Sequence, residues 1–210
     1  MGAFSFSNGL ETAVAQGVVK DADSLREFLR TATRQAASAD GVALLHAYRA
    51  TSSQNMDGVL IADRAVHSRK LAEEPRLMTV RMGKKLAQLA LRFTSHTIAS
   101  QFHDMIHLGQ TAGTYPVAQG ILFAALNLGE EQAFAVHQYG VASMILGAAL
   151  RLMKIHYLET QSILWEINGD ATGLFHRFNK CKLDDMATFA PVMDILASIH
   201  VQSKVRLFMN

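Results

Sequence analysis

No Asp, Glu, Lys or Arg occurs between Asp104 and Glu130, and none again between Gln132 and Arg151. Two such runs, almost back to back, must be buried in something, because apolar surface of that extent is not left in water. The first, "MIHLGQTAGTYPVAQGILFAALNLG", is broken by Gln110, Thr111, Gly113, Thr114, Pro116 and Gln119, and the second carries His137, Gln138 and Tyr139. Neither reads as the ~20 predominantly apolar residues of a spanning helix. The expectation is therefore no membrane, with both runs as central helices of a bundle.

The rest of the chain fits that frame. Only three prolines interrupt 210 residues, and Ala, Leu, Met, Gln and Glu prevail over β-branched alternation. The predicted fold is all-α, a single-domain helical bundle of about ten helices over residues 1–210. Helices are expected after Asn8, from Ser24 through "SLREFLRTATRQAASA", and over about Asp57–Leu71. Another follows with Pro75 in its first turn. In that one Met82, Leu86, Leu89 and Phe93 recur at helical spacing, which predicts a core stripe. Pro116 opens a helix to about Leu128, and the longest runs from Glu130 to about Ile155. Shorter ones are expected near Glu159–Asn168, Ala171–Asn179 and Pro191–His200.

Several spacings suggest local roles. Asn8 and Glu11 stand three apart, as do Ser24 and Glu27, and each pair can form a capping box. In the longest helix Gly140, Ser143 and Gly147 share one face, which lets another helix come close. Core packing would explain the face; a homodimer contact beside Tyr139 is the sharper alternative, since a two-fold interface meets its own copy. The chain ends in "SKVRLFMN". Val205, Leu207, Phe208 and Met209 are too apolar for a free solvated end, and Arg206 can anchor an oxygen on a partner. Residues 203–210 therefore read as a docking tail, or as a segment folded back onto its own core.

Chemistry is mostly absent. A formal charge of +2 without a long basic run argues against nucleic acid. Cys181 stands alone between Lys180 and Lys182, so no internal disulfide forms, and without a basic-then-apolar leader the chain reads as cytoplasmic. There is no phosphate-loop, GxGxxG, GxSxG, HExxH or CxxC motif, so the common catalytic signatures are absent and only a helical enzyme with a convergent pocket stays open. The best metal candidate is "HDMIH", with His103 and His107 one turn apart and no third ligand in view. His137 and His156 have no partner that spacing can name.

Four landmarks in order then carry a resemblance. "GAFSFSNGLETAV" resembles the P-x-G-[AS]-[FY]-S-x-S-x-G-L-E pattern of the urease accessory protein UreF family. "EEPRLMTVRMGKKL" is similar to its E-x-R…G segment through Glu74, Arg76 and Gly83. "YPVAQGILFAALNLG" and the helix after it resemble the family's paired central helices through Pro116, Gly120, Tyr139, Arg151, Leu152 and Gln161. "VRLFMN" resembles its RLFMS ending.

Two departures stand out: the family has about twenty more residues before the first landmark, so a truncated start is expected. "MKIHYLETQ" also replaces the Pro-Leu-Gly-Gln that many members show after Arg151.

The resemblance implies an all-α homodimer without an activity or resident cofactor of its own. It implies a scaffold and GTPase regulator that recruits the GTPase UreG, through UreD (also called UreH), to apo-urease for nickel insertion. Glu11 and Arg151 match family positions on the surface associated with the GTPase, and the tail would meet UreD. The alternative function is a nickel-binding metallochaperone using His103 and His107, with nickel held only transiently.

Overall fold

The computed structural model describes residues 6–187 and 207–208. Helices make up its regular structure, and no strand occurs among the described residues. Eight helices have at least eleven residues: α2 (Ala22–Ala36), α3 (Val42–Ser52), α4 (Met56–Arg69), α5 (Glu73–Ala90), α6 (Thr97–His107), α7 (Tyr115–Ala125), α8 (Glu130–Leu152) and α9 (Tyr157–Gly169). The short α1 (Leu10–Ala15) and α10 (Ala171–Phe178) flank them, so the expected ten is reached only by counting these two segments. The helix expected at Pro191–His200 lies outside the described residues.

Three apolar clusters hold the helices together. One joins α1, α2, α8 and α9 through Leu10, Leu25, Leu29, Ile145 and Ile163. A second joins α3 to α7 through Val42, Val59, Leu86, Phe102 and Ile121. The third bridges them, where Leu44 and Leu45 of α3 meet Phe134 of α8 and Phe175 of α10.

The two charge-free runs supply α7, which is buried along most of its length, and α8, which serves two of the clusters. Against expectation, α8 does have the length and apolarity to cross a bilayer, with a mean hydropathy of 1.4 in its best window. Half of that window is buried inside the chain itself, which is how a core helix passes the same test.

Close helix contacts explain two glycines. A Cβ on Gly120 of α7 would lie 2.4 Å from the Leu44 carbonyl oxygen of α3, and one on Gly83 of α5 would lie 2.1 Å from that of Gly113. Both obstacles are backbone, so neither can swing aside. Gly120→Ala should therefore force α3 and α7 apart at a cost of about 1–3 kcal/mol. Urea unfolding should show the lower midpoint with an unchanged slope.

Local expectations fare unevenly. Leu25, Phe28, Leu29 and Ala32 are buried as predicted, but α2 starts earlier than Ser24. Asp21 is the cap and Ser24 is the third helical residue, their side chain and backbone groups bonding reciprocally. Glu27 instead pairs with Arg30 at 2.6 Å. The α5 stripe is wrong at its end. Leu86 is buried, whereas Leu89 is exposed and Phe93 is 61% exposed. The helix stops at Ala90, so the period that placed Phe93 no longer applies there. A π-helical turn, Ala37–Gly41, joins α2 to α3 and was not foreseen.

Candidate functional site

The capping box expected at Asn8 and Glu11 does not form. Asn8 and Gly9 both take left-handed backbone angles (φ 53° and 82°), α1 starts at Leu10, and no side chain caps it in the Asn8 manner. Ser7 Oγ instead accepts the Glu11 N–H at 3.3 Å. The Glu11 carboxylate does not close a cap on Asn8.

What it meets is the far end of the chain. Glu11 Oε1 accepts the Leu207 N–H at 2.8 Å and Oε2 accepts the Phe208 N–H at 3.1 Å. One carboxylate thus satisfies two successive backbone donors, a charge-assisted pair of bonds. Phe208 is 4% exposed and belongs to the cluster of α1, α2, α8 and α9, whereas Leu207 is 71% exposed. On the other side of the ring the Arg151 guanidinium carbon lies 4.1 Å from its centroid. That is cation–π distance. Arg151 is set by the last turn of α8, where its Nε donates to the Gly147 carbonyl at 3.3 Å.

Glu11 and Arg151, which the resemblance places on one surface, therefore converge with Phe208 of the expected docking tail. No spacing rule could have joined them, because Glu11 and Phe208 are 197 positions apart. Val205, Arg206 and Met209 lie outside the described residues.

The Gly140, Ser143 and Gly147 face meets no close packing partner among the described residues: a Cβ on Gly140 or Gly147 would find nothing within 4 Å of it there. Tyr139 beside it is 49% exposed, as is much of Val136 and Leu150.

His103 and His107 do meet. Their Nε2 atoms are 3.1 Å apart and their rings are edge to face. No group of three or more His, Cys, Asp or Glu poised for a metal exists among the described residues.

Four other histidines have local structural surroundings. His96 and His156 cap α6 and α9, each Nδ1 accepting a backbone N–H two residues on. His46 Nε2 contacts the Cys181 carbonyl at 2.9 Å. His137 is buried, and loss of water lowers its pKa to about 4; nearby Asp40 opposes that shift and Lys70 adds to it. Those two form an ion pair at 2.9 Å, on the wall of a cavity of about 90 Å³ between α2, the π-turn, the α4–α5 link and α8.

Sequence comparison completes the picture. The family model described as UreF matches residues 19–168. The chain belongs to the UreF family. It is 45% identical over all 210 residues to the urease accessory protein UreF of Yersinia enterocolitica serotype O:8, covering 92% of that protein. It is 47% identical to urease accessory protein UreF 2 of Brucella canis, covering 86% of it. The Yersinia pseudotuberculosis UreF is 44% identical over the same span. UreF proteins are named as accessory proteins, not as enzymes, in line with the missing catalytic motifs. Within the UreF landmarks the structure gives physical roles: Gly83 and Gly120 admit backbone. Arg76 holds the α4–α5 link by donating to the carbonyls of Lys70 and Leu71.

Proposed function

We propose that this chain is a cytoplasmic scaffold of urease maturation, which recruits UreG through UreD (UreH) to apo-urease and regulates the GTPase during nickel insertion. The observation that supports the reading is the convergence of Glu11 and Arg151 on residues 207–208. On this reading the tail that meets UreD and the charges that face UreG belong to one joint. Engagement of the tail by one partner then alters the presentation of Glu11 and Arg151 to the other.

Copurification of the chain with UreD and UreG tests the scaffold. Retention of both is expected, and a chain that captures neither overturns it. Deleting Val205 to Asn210 should abolish UreD capture in a chain that still folds, at a stability cost from the lost Phe208 side chain. Glu11→Ala releases two backbone donors, one of them partly buried, at a cost of about 1 kcal/mol. It should nonetheless reduce urease activation strongly, and full activation in that variant would remove Glu11 from the joint.

The scaffold also works as a homodimer on this reading, through the open α8 face at Tyr139, Gly140, Ser143 and Gly147. A charge placed there enters an isologous interface twice. Gly140→Glu should therefore yield monomers on size exclusion without unfolding, because the position has room for a side chain. An unchanged dimer would exclude this face.

A further inference from the structure

We infer that His103 and His107 form a bidentate, exchangeable site for a late first-row divalent ion such as Zn²⁺, Ni²⁺ or Co²⁺. The inference is independent of the scaffold reading, since it concerns the isolated chain. It rests on geometry that the i, i+4 spacing alone does not guarantee.

Two imidazole nitrogens bound about 2.0–2.1 Å from one ion lie about 3.0 Å apart at a right angle and about 3.4 Å apart at the tetrahedral angle. The Nε2 atoms here are 3.1 Å apart, within that range, so their separation already matches a shared ion. The pair is also held in place. Phe102 and Ile106 bury the adjoining face of α6, and the His103 side chain is only 17% exposed while His107 faces solvent.

The proton arrangement suits a ligand too. His103 Nδ1 is buried without a hydrogen-bond partner, and the Asp104 carboxylate oxygen lies 3.5 Å from it. A proton on that nitrogen, facing the carboxylate, leaves Nε2 with the free lone pair that His107 Nε2–H now occupies. Binding requires only that the His107 proton pass through solvent from Nε2 to Nδ1. His107 ends α6, where the negative end of the helix dipole favours a cation.

Two protein ligands leave the remaining positions to water. This predicts a weak, rapidly exchanging site and not a structural zinc centre.

Titration of the purified chain with Ni²⁺ and Zn²⁺ by calorimetry, with Co²⁺ absorption as a ligand-field probe, tests the site. One ion per chain is expected. The exposed His107→Gln and the double His103→Gln/His107→Gln variant should each weaken binding at least tenfold with unchanged helix content. Affinity should also fall as the pH is lowered, because protons compete for the same lone pairs. Wild-type binding retained in His107→Gln and in the double variant, or no saturation at millimolar metal, would overturn the assignment.

Discussion

Asp63→Ala should destabilise the fold by about 3–5 kcal/mol. Asp63 is fully buried on α4, and its carboxylate accepts four hydrogen bonds. Oδ2 takes the Thr111 hydroxyl at 2.5 Å and the Gly113 N–H at 2.9 Å. Oδ1 takes the Thr114 N–H at 2.7 Å and its hydroxyl at 2.6 Å. These donors fix the link from α6 to α7, so the carboxylate stands in for the water that the buried loop cannot reach. Removing it strands two backbone donors that have no other way to turn.

Asp63→Asn separates charge from shape. A hydroxyl can rotate to accept from the new amide, but a backbone N–H cannot, so one of the two backbone bonds is still lost. An intermediate loss of about 2 kcal/mol is expected. Urea unfolding measures both variants, and faster amide exchange at Gly113 and Thr114 would locate the damage. An alanine variant within 1 kcal/mol of wild type would contradict this account of the loop.

Acid should weaken the fold through His137 by up to about 3 kcal/mol. Its pKa in the folded chain is lowered to about 4, chiefly by burial, from an ordinary value of 6.5. Above pH 6.5 the ring is neutral in both states and contributes no pH dependence. Between 6.5 and 4 the unfolded chain takes up a proton that the folded chain refuses, so stability falls as pH falls. Below about 4 both states are protonated and the loss is complete. His137→Phe removes the titration but keeps a flat ring near Tyr115, whose ring centroid is 6.1 Å away. The stability difference between wild type and variant should be flat above pH 6.5 and slope below it. A difference that stays constant down to pH 4 would show that His137 protonates freely in the folded chain.

Much of the architecture was legible because its signals are local. Leu25, Phe28, Leu29 and Ala32 name the buried side of α2, and the two charge-free runs name α7 and α8 as central. Such patterns survive translation into structure, since helix geometry alone sets which residues share a face. The α3 helix escaped the reading because "VALLHAYRATS" is buried on nearly all sides and so has little amphipathic contrast. Its π-helical entry shifts the phase besides. Capping was read at the right places with the wrong partners: Asn8 gave way to a left-handed turn, and Ser24 to Asp21.

The sequence by itself determined the all-α class, the positions of most of the main helices, the lack of familiar catalytic motifs and the family. Each of these is written in residues near one another or in motifs that keep their order. Only the tertiary structure decided what the polar residues do. Glu11 holds residues 207–208, Asp63 holds the loop before α7, His137 loses its water, and the Gly140 face meets no close neighbour among the described residues. Those outcomes depend on which surfaces the helices bring together across 50 to 197 positions. Hydrogen bonding and desolvation act over a few ångströms of space, so distance along the chain carries almost no record of them.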